Sequence, residues 1–273
     1  MSLFHQKIAL ITGAAAGIGQ GLSQELARRG AHVIITDIDA PRLQATADAI
    51  NALPNGRATP YPLDVTDPQA FQTVIQQTID THGRLDYLFN NAGITIAGEM
   101  QNLTLDHWHH VLNVNLLGVI HGCHLAYPHM IRQKSGHIVN IASLAGLTPF
   151  PANTPYSATK HAVVGLSTTL RVEAAPLGVK VSVVCPAFIQ SSIYENSLVI
   201  GIENHDILGQ LPVKPVATDK AVNIILRGVA RNQNIINFPL YGRLIWWLTR
   251  LHPNIAQLFG RNLIAQFRTN KAR

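Results

Sequence analysis

Tyr156 and Lys160 stand four residues apart in Tyr156-Ser157-Ala158-Thr159-Lys160, thirteen residues beyond Ser143. A phenol and an ammonium one helical turn apart share a helix face. A cation held beside a phenol favours the phenolate and lowers its pKa from about 10 towards neutrality. A tyrosine tuned in that way exchanges a proton with a substrate oxygen. Tyrosine and lysine also meet at this spacing in helices that do no chemistry, so the pair needs a partner reaction elsewhere in the chain.

A glycine-rich segment offers one. Thr12-Gly13-Ala14-Ala15-Ala16-Gly17-Ile18-Gly19 lies between an apolar run and a helical stretch. Glycines allow a sharp turn and a close backbone approach. The helix N-terminus then presents free N–H groups and partial positive charge to a pyrophosphate. The spacing is Gly-x-x-x-Gly-x-Gly, not Gly-x-Gly-x-x-Gly, and a tight strand-to-helix connection is the plain alternative. Asp37 ends the second apolar run, about twenty residues beyond the glycines. A carboxylate there accepts hydrogen bonds from ribose hydroxyls and repels a 2′-phosphate. Thr36, Ile38 and Ala16 are uncharged, so NAD is expected rather than NADP. An aspartate that merely caps the next turn explains Asp37 but not the combination.

These residues must be positioned by alternating elements. Apolar, β-branched runs predict strands at 7–12, 32–36, 58–63, 86–89, 137–141, 179–184 and 234–238. Helical patterns fall at 18–29, 41–53, 67–81, 105–130, 154–175 and 219–231. Asp39 is expected to cap the second helix, with Pro41 in its first turn, and Asp67-Pro68 to open the third. The predicted fold class is α/β, a Rossmann-type doubly wound parallel sheet of about seven strands, with helices on both faces and an amphipathic helical tail. Residues 1–239 form one domain. Residues 188–217 form a long loop with a helical patch, and 240–273 are an extension.

Composition narrows the function classes. The 273 residues are 47% hydrophobic and only 13% charged, enough to bury a core and too apolar for disorder. The net charge of +6 is unevenly placed. Residues 220–273 hold nine of the 21 Lys and Arg and no Asp or Glu. That leaves twelve basic against fifteen acidic side chains in 1–219, or −3. A nucleic-acid surface on the main domain is therefore disfavoured. Cys123 and Cys185 lie in apolar stretches and read as buried, reduced thiols. The N-terminus lacks the apolar run of a signal peptide, and no apolar stretch reaches the ~18–20 residues that span a bilayer. A cytoplasmic protein is expected. His107, His109 and His110 cluster at a helix start, with His121 and His124 further along. No carboxylate or cysteine completes a ligand set, so no metal is expected.

The motifs in their order resemble the short-chain dehydrogenase/reductase family, in its single-domain branch, over residues 5–240. They are Thr12 to Gly19, Asp64 after the third strand, Asn90-Asn91-Ala92-Gly93, Asn115, Ser143, Tyr156 with Lys160, and Pro186 after the sixth strand. The resemblance implies that Tyr156 is the acid in ketone reduction and the base in alcohol oxidation. Lys160 would tune it and hold the nicotinamide ribose. Ser143 would bind the reacting oxygen, and Asn115 would position a water linking Lys160 to solvent. A bracing role at a helix kink is open for Asn115 as well. Gly13, Gly17, Ile18 and Gly19 would line the pyrophosphate, Asp64 and Val65 the adenine, and Asn91 the cofactor turn. Ile189 and Ser191 match positions that touch the carboxamide. Pro186-Ala187 replaces the frequent Pro-Gly, and Ser191 stands where threonine is common.

The same resemblance places the 188–217 segment over the substrate and implies a homodimer or homotetramer through the helices of Asn115 and Tyr156. Leu144, Leu147, Phe150, Phe188, Ile193, Tyr194 and Leu198 would make an apolar pocket, suited to a hydrophobic alcohol or ketone. A 3-oxoacyl reductase and a catalytically silent dinucleotide sensor are the alternatives. In the tail, Leu240, Leu244, Ile245, Leu248 and Leu251 recur at helical spacing beside Trp246, Trp247, Arg243 and Arg250. After Pro253, Ile255, Leu258, Phe259, Leu263 and Phe267 repeat the pattern with Arg261 and Arg268. Basic amphipathic helices with tryptophan suit a membrane interface, and packing on the core or a neighbouring subunit suits them too.

Overall fold

In the computed structural model, which describes residues 2–190, 193, 197–201, 214–252 and, beyond these, 254, 255, 260, 261, 264, 265, 267 and 268, the apolar runs pair edge to edge. The strands are β1 (Ile8–Thr12), β2 (His32–Asp37), β3 (Arg57–Pro62), β4 (Tyr87–Asn90), β5 (Ile96–Ala97), β6 (Gly136–Ile141), β7 (Val179–Pro186), β8 (Leu198–Val199) and β9 (Ile235–Phe238). The helices are α1 (Gly17–Arg28), α2 (Ala40–Asn51), α3 (Pro68–His82), α4 (Leu105–Leu112), α5 (Gly118–Gln133), α6 (Thr154–Ala174), α7 (Thr218–Ala230) and α8 (Leu240–Leu251).

Seven strands form one parallel sheet in the order β3-β2-β1-β4-β6-β7-β9. Parallel neighbours require crossovers, and the crossover helices cover both faces. Strand alternation sorts the core into two layers. Ala9 and Ile11 of β1 pack with Leu22 and Leu26 of α1, Leu43 of α2 and Ile225 of α7. Ile8 and Leu10 point the other way, to Phe71 and Ile75 of α3, Val119 of α5 and Val163 of α6. Strand order reverses between β1 and β4, which opens a crevice at their carboxyl ends. The expected caps are present. Asp39 accepts from Arg42 N at 3.1 Å, and Asp67 from Gln69 N and Ala70 N at 2.9 and 3.0 Å.

One expectation changes. The single helix at 105–130 is α4, then a π turn at Asn113–Leu117, then α5. The wide turn redirects Asn115, whose side chain bonds a neighbouring loop instead of continuing a regular helix face. The helical patch expected at 188–211 falls mostly outside the described residues. The described residues of 188–217 hold β8, paired in parallel with β5, and a bridge between Ile189 and Val216. A two-residue ladder has no sequence period to reveal it. Ser191 and Tyr194 lie outside the described residues. Helix α8 lies where the helical spacing of Leu240 to Leu251 predicts it, follows β9 directly and is held by Arg243 Nε donating to Asn237 O at 2.7 Å. Among the described residues, no helix is long and apolar enough to cross a membrane.

Candidate active site

The crevice begins at the glycine turn. Gly13 and Gly17 have φ of 66° and 54°, the left-handed region where glycine carries no steric penalty. Ala16, which precedes α1, offers no side-chain cap, and the first turn holds no acidic residue. The positive end of this helix dipole is therefore not neutralised by its own sequence. Ile18 packs against the core beneath it, and Gly19 is buried. Asn91 ties the turn to β4, with Nδ2 donating to Thr12 O at 2.9 Å and Gly13 O at 3.0 Å. Thr12 Oγ1 receives both Asn91 N and Ala92 N. Asp37, at the end of β2, accepts from Ala15 N and Asp39 N, each at 3.0 Å. One carboxylate thus caps its own turn and faces the glycine segment.

Beyond β6 and in α6 the three chemical residues come together. Ser143 Oγ accepts from Ala145 N at 3.1 Å, and its side chain hydrogen-bonds the Tyr156 phenol. Lys160 Nζ lies 5.4 Å from the Tyr156 ring centroid and donates to Ile141 O at 2.9 Å. Burial governs both titrations. It pushes the phenol up to about 12, with the Ser143 hydrogen bond pulling the other way. It lowers the Lys160 ammonium to about 8. The depression of the phenol expected from Lys160 does not set the shift in the protein alone: desolvation does, and the downward pull comes from Ser143. Cys185 of β7 neighbours the same group. Burial pushes its thiol up, against the pull of the Lys160 charge.

Asn115 is fully buried. Its Oδ1 accepts from Ile94 N at 2.8 Å, and its Nδ2 donates to Ile94 O at 2.9 Å and Thr159 Oγ1 at 3.4 Å. It therefore braces the segment after β4 against α6. A Cβ placed on Gly93 would lie 3.2 Å from Asn115 Oδ1 and 3.5 Å from Lys160 Nζ, so the two side chains converge over this glycine.

The remaining candidates are more dispersed. Asp64 is exposed and accepts from Thr66 N and Oγ1 at 2.9 and 2.8 Å. Val65 is buried and its carbonyl meets His121 Nδ1 at 3.0 Å. Ile189 is buried after β7. Phe150 and Phe188 meet with ring centroids 5.9 Å apart. Ile193 is half-buried and Leu198 exposed, whereas Leu147 packs into the core on the α5–α6 side of the sheet. His107 closes a capping box with Thr104 at the start of α4.

Several contributors carry no signal in the sequence. The Ile141 carbonyl is backbone, and Thr159 is one hydroxyl among many on α6. Glu99, 9% exposed, receives Arg268 Nε and Nη2 at 2.9 and 2.6 Å. A Cβ on Gly260 would sit 3.2 Å from Pro151 Cγ, and one on Gly242 would sit 3.7 Å from both Leu144 Cδ2 and Ala187 Cβ. Gly242 and Gly260 of the extension thus lie against the loops that flank Ser143 and Tyr156.

Comparison with known proteins agrees with this geometry. Residues 7–198 match the family model described as short chain dehydrogenase. A 3-oxoacyl-acyl-carrier-protein reductase of Thermotoga maritima is 38% identical over 189 residues, covering 69% of this chain and 76% of that protein. A short-chain dehydrogenase/reductase from Burkholderia phymatum, solved in complex with NAD, superposes with a TM-score of 0.81 at 27% identity, covering 94% of this chain and 97% of the other. A short-chain dehydrogenase from Sphingobium yanoikuyae, in complex with NADPH, gives 0.79 at 26% identity, covering 93% and 94%.

Proposed function

The chain belongs to the short-chain dehydrogenase/reductase family, and on that premise we propose that it interconverts a hydrophobic alcohol and its carbonyl compound with NAD as the preferred dinucleotide. It is an oxidoreductase of CH–OH groups that uses an NAD(P) cofactor. The observation that carries the alcohol–carbonyl chemistry is the convergence of Ser143 and Lys160 on the single Tyr156 side chain.

The residues present fit a dinucleotide. The uncapped start of α1 and the turn at Gly13, Gly17, Ile18 and Gly19 would hold the pyrophosphate. Asp37 would take the adenosine ribose, Asp64 and Val65 the adenine, and Ile189 with Ser191 the carboxamide. Asn91 keeps the turn in shape. When bound, the oxidised cofactor supplies the hydride acceptor and a positive ring beside the phenol.

The chain's own groups handle the oxygen and its proton. Ser143 Oγ donates to the substrate oxygen and steadies charge that develops on it. Tyr156 Oη takes the alcohol proton in oxidation and returns it to the carbonyl oxygen in reduction. Lys160 keeps a cation within reach of that phenol and of the ribose. Asn115, converging with Lys160 over Gly93, would orient a water for proton exchange with solvent while bracing Ile94.

The preference for NAD rests on Asp37, which faces the glycine turn with no basic side chain among Thr36, Ile38 and Ala16. The Phe150–Phe188 contact supports an apolar substrate. A 3-oxoacyl reductase is the second reading, favoured by the similarity to the Thermotoga maritima protein. Asp37 speaks against it, since reductive biosynthesis draws on NADPH. Leu117, at the end of the π turn that leads into α5, and Val172 on α6 are exposed, and these helix faces would pair in a dimer or tetramer.

Equilibrium binding of NAD and NADP, followed by turnover of a panel of apolar alcohols, tests the proposal. Tyr156→Phe is expected to lose about 10²–10⁴-fold in kcat/KM while binding the cofactor normally. A phenylalanine enzyme as active as wild type would sink the proton-transfer role. Tighter binding of NADP than NAD would overturn the assignment of Asp37.

A further inference from the structure

Helix α8 turns its apolar stripe the wrong way for a core helix. Leu240, Leu244, Trp247 and Leu251 are 78%, 59%, 60% and 77% exposed. Their spacing of four, three and four residues places them on one face. The opposite side holds the buried Gly242, which backs onto Leu144 and Ala187 beside Ser143. Arg243 and Arg250, seven residues apart, line one edge of the exposed stripe. Arg250 lies over the Trp246 ring at 5.6 Å. The surrounding sequence contributes nine basic residues and no acidic one over 220–273.

We propose that this face docks on the surface of an anionic lipid bilayer, with the catalytic crevice held at the membrane beside it. A stripe about 16 Å long, edged by arginines, matches the chemistry of a helix lying in the headgroup–acyl boundary. Trp247 has the amphipathic ring that settles at that depth. Charge complementarity selects the occupant. A second copy of this chain would bring its own basic, acid-free extension against the arginines. Four large side chains of about 150–250 Å² each, 59–78% exposed, also offer only roughly 400–700 Å², against about 800 Å² per partner in a stable protein interface. Because α8 packs on the loop after Ser143, a substrate dissolved in the lipid would meet the crevice without crossing water. Docking itself holds whichever alcohol is turned over.

Vesicle flotation of the full chain, without substrate, tests this. Wild type is expected to float with phosphatidylserine–phosphatidylcholine vesicles and more weakly with phosphatidylcholine alone. Leu244→Glu/Trp247→Glu should reduce flotation by about tenfold or more, since each buried apolar side chain contributes more than one tenfold step. The altered side chains are exposed, so melting temperature and NAD binding should be unchanged in the same preparation. Absence of flotation with either vesicle, or equal flotation of the double variant, overturns the proposal. So does a wild type that stays in solution and elutes at twice the mass of the variant, which assigns the face to a second copy. Since NAD binding and turnover of a water-soluble alcohol are read separately, failure at the vesicle leaves the oxidoreductase assignment standing.

Discussion

Replacing Lys160 by methionine should make the protein more stable at neutral pH while removing most of its activity. Lys160 is 3% exposed, and its ammonium donates to the Ile141 carbonyl at 2.9 Å. Among the described residues it forms no ion pair with a carboxylate. Burial holds its pKa at about 8 against an ordinary value of 10.5. Below pH 8 both folded and unfolded chains carry the proton, and the folded chain bears the full penalty of a desolvated cation. Between about 8 and 10.5 the unfolded chain binds a proton that the folded chain does not, so stability rises with pH across that window. The interval corresponds to roughly 3 kcal/mol.

Methionine has a similar length and no charge. It removes that penalty but leaves the Ile141 carbonyl without its donor, which costs about 1–2 kcal/mol. At pH 7 the variant should therefore gain roughly 1–2 kcal/mol. The advantage should shrink by roughly 2–3 kcal/mol between pH 7 and pH 10, and so change sign. Urea unfolding followed by tryptophan fluorescence, at one protein concentration, reads the difference directly, because other pH effects cancel between the two proteins. In the same preparations kcat/KM should fall by about 10²–10⁴-fold. A variant less stable than wild type at pH 7, or a stability difference that does not move with pH, would refute the assignment of Lys160 as an unpaired, desolvated cation.

Two further outcomes follow from the same site. Asn115→Leu removes the partners of Ile94 N and Ile94 O, and should cost about 2–4 kcal/mol; a thermal melt identical to wild type would show that Asn115 braces nothing. At Gly19, an added Cβ would overlap the Gly13 carbonyl oxygen and crowd Asn91 Nδ2. Gly19→Ala should therefore weaken dinucleotide binding by about tenfold or more, and calorimetry showing unchanged affinity would remove the glycine turn from the cofactor site.

What the sequence determined by itself was the local grammar. Apolar runs of strand length, separated by helical periods, specify a parallel sheet with covered faces. All seven strands of the main sheet lie where those runs predict them. The glycine turn, Asp37 and the Tyr156/Lys160 spacing were legible because each is a short-range pattern. The π turn at Asn115 was not, since one extra residue in a helix hardly disturbs a hydrophobic period. Nor was the β5–β8 ladder, whose partners are about a hundred residues apart.

Tertiary structure alone decided the electrostatics. Spacing suggested that Lys160 depresses the Tyr156 phenol, but desolvation acts on both groups and depends on neighbours from distant segments, Cys185 among them. The extension makes the same point. Leu240, Leu244 and Leu251 recur with a core-like period, and Arg268 looks like one more surface charge. Folding turns the first set outward and sends the second to Glu99. A period in sequence establishes that a helix has an apolar face. Which way that face points is set by what the rest of the chain has already covered.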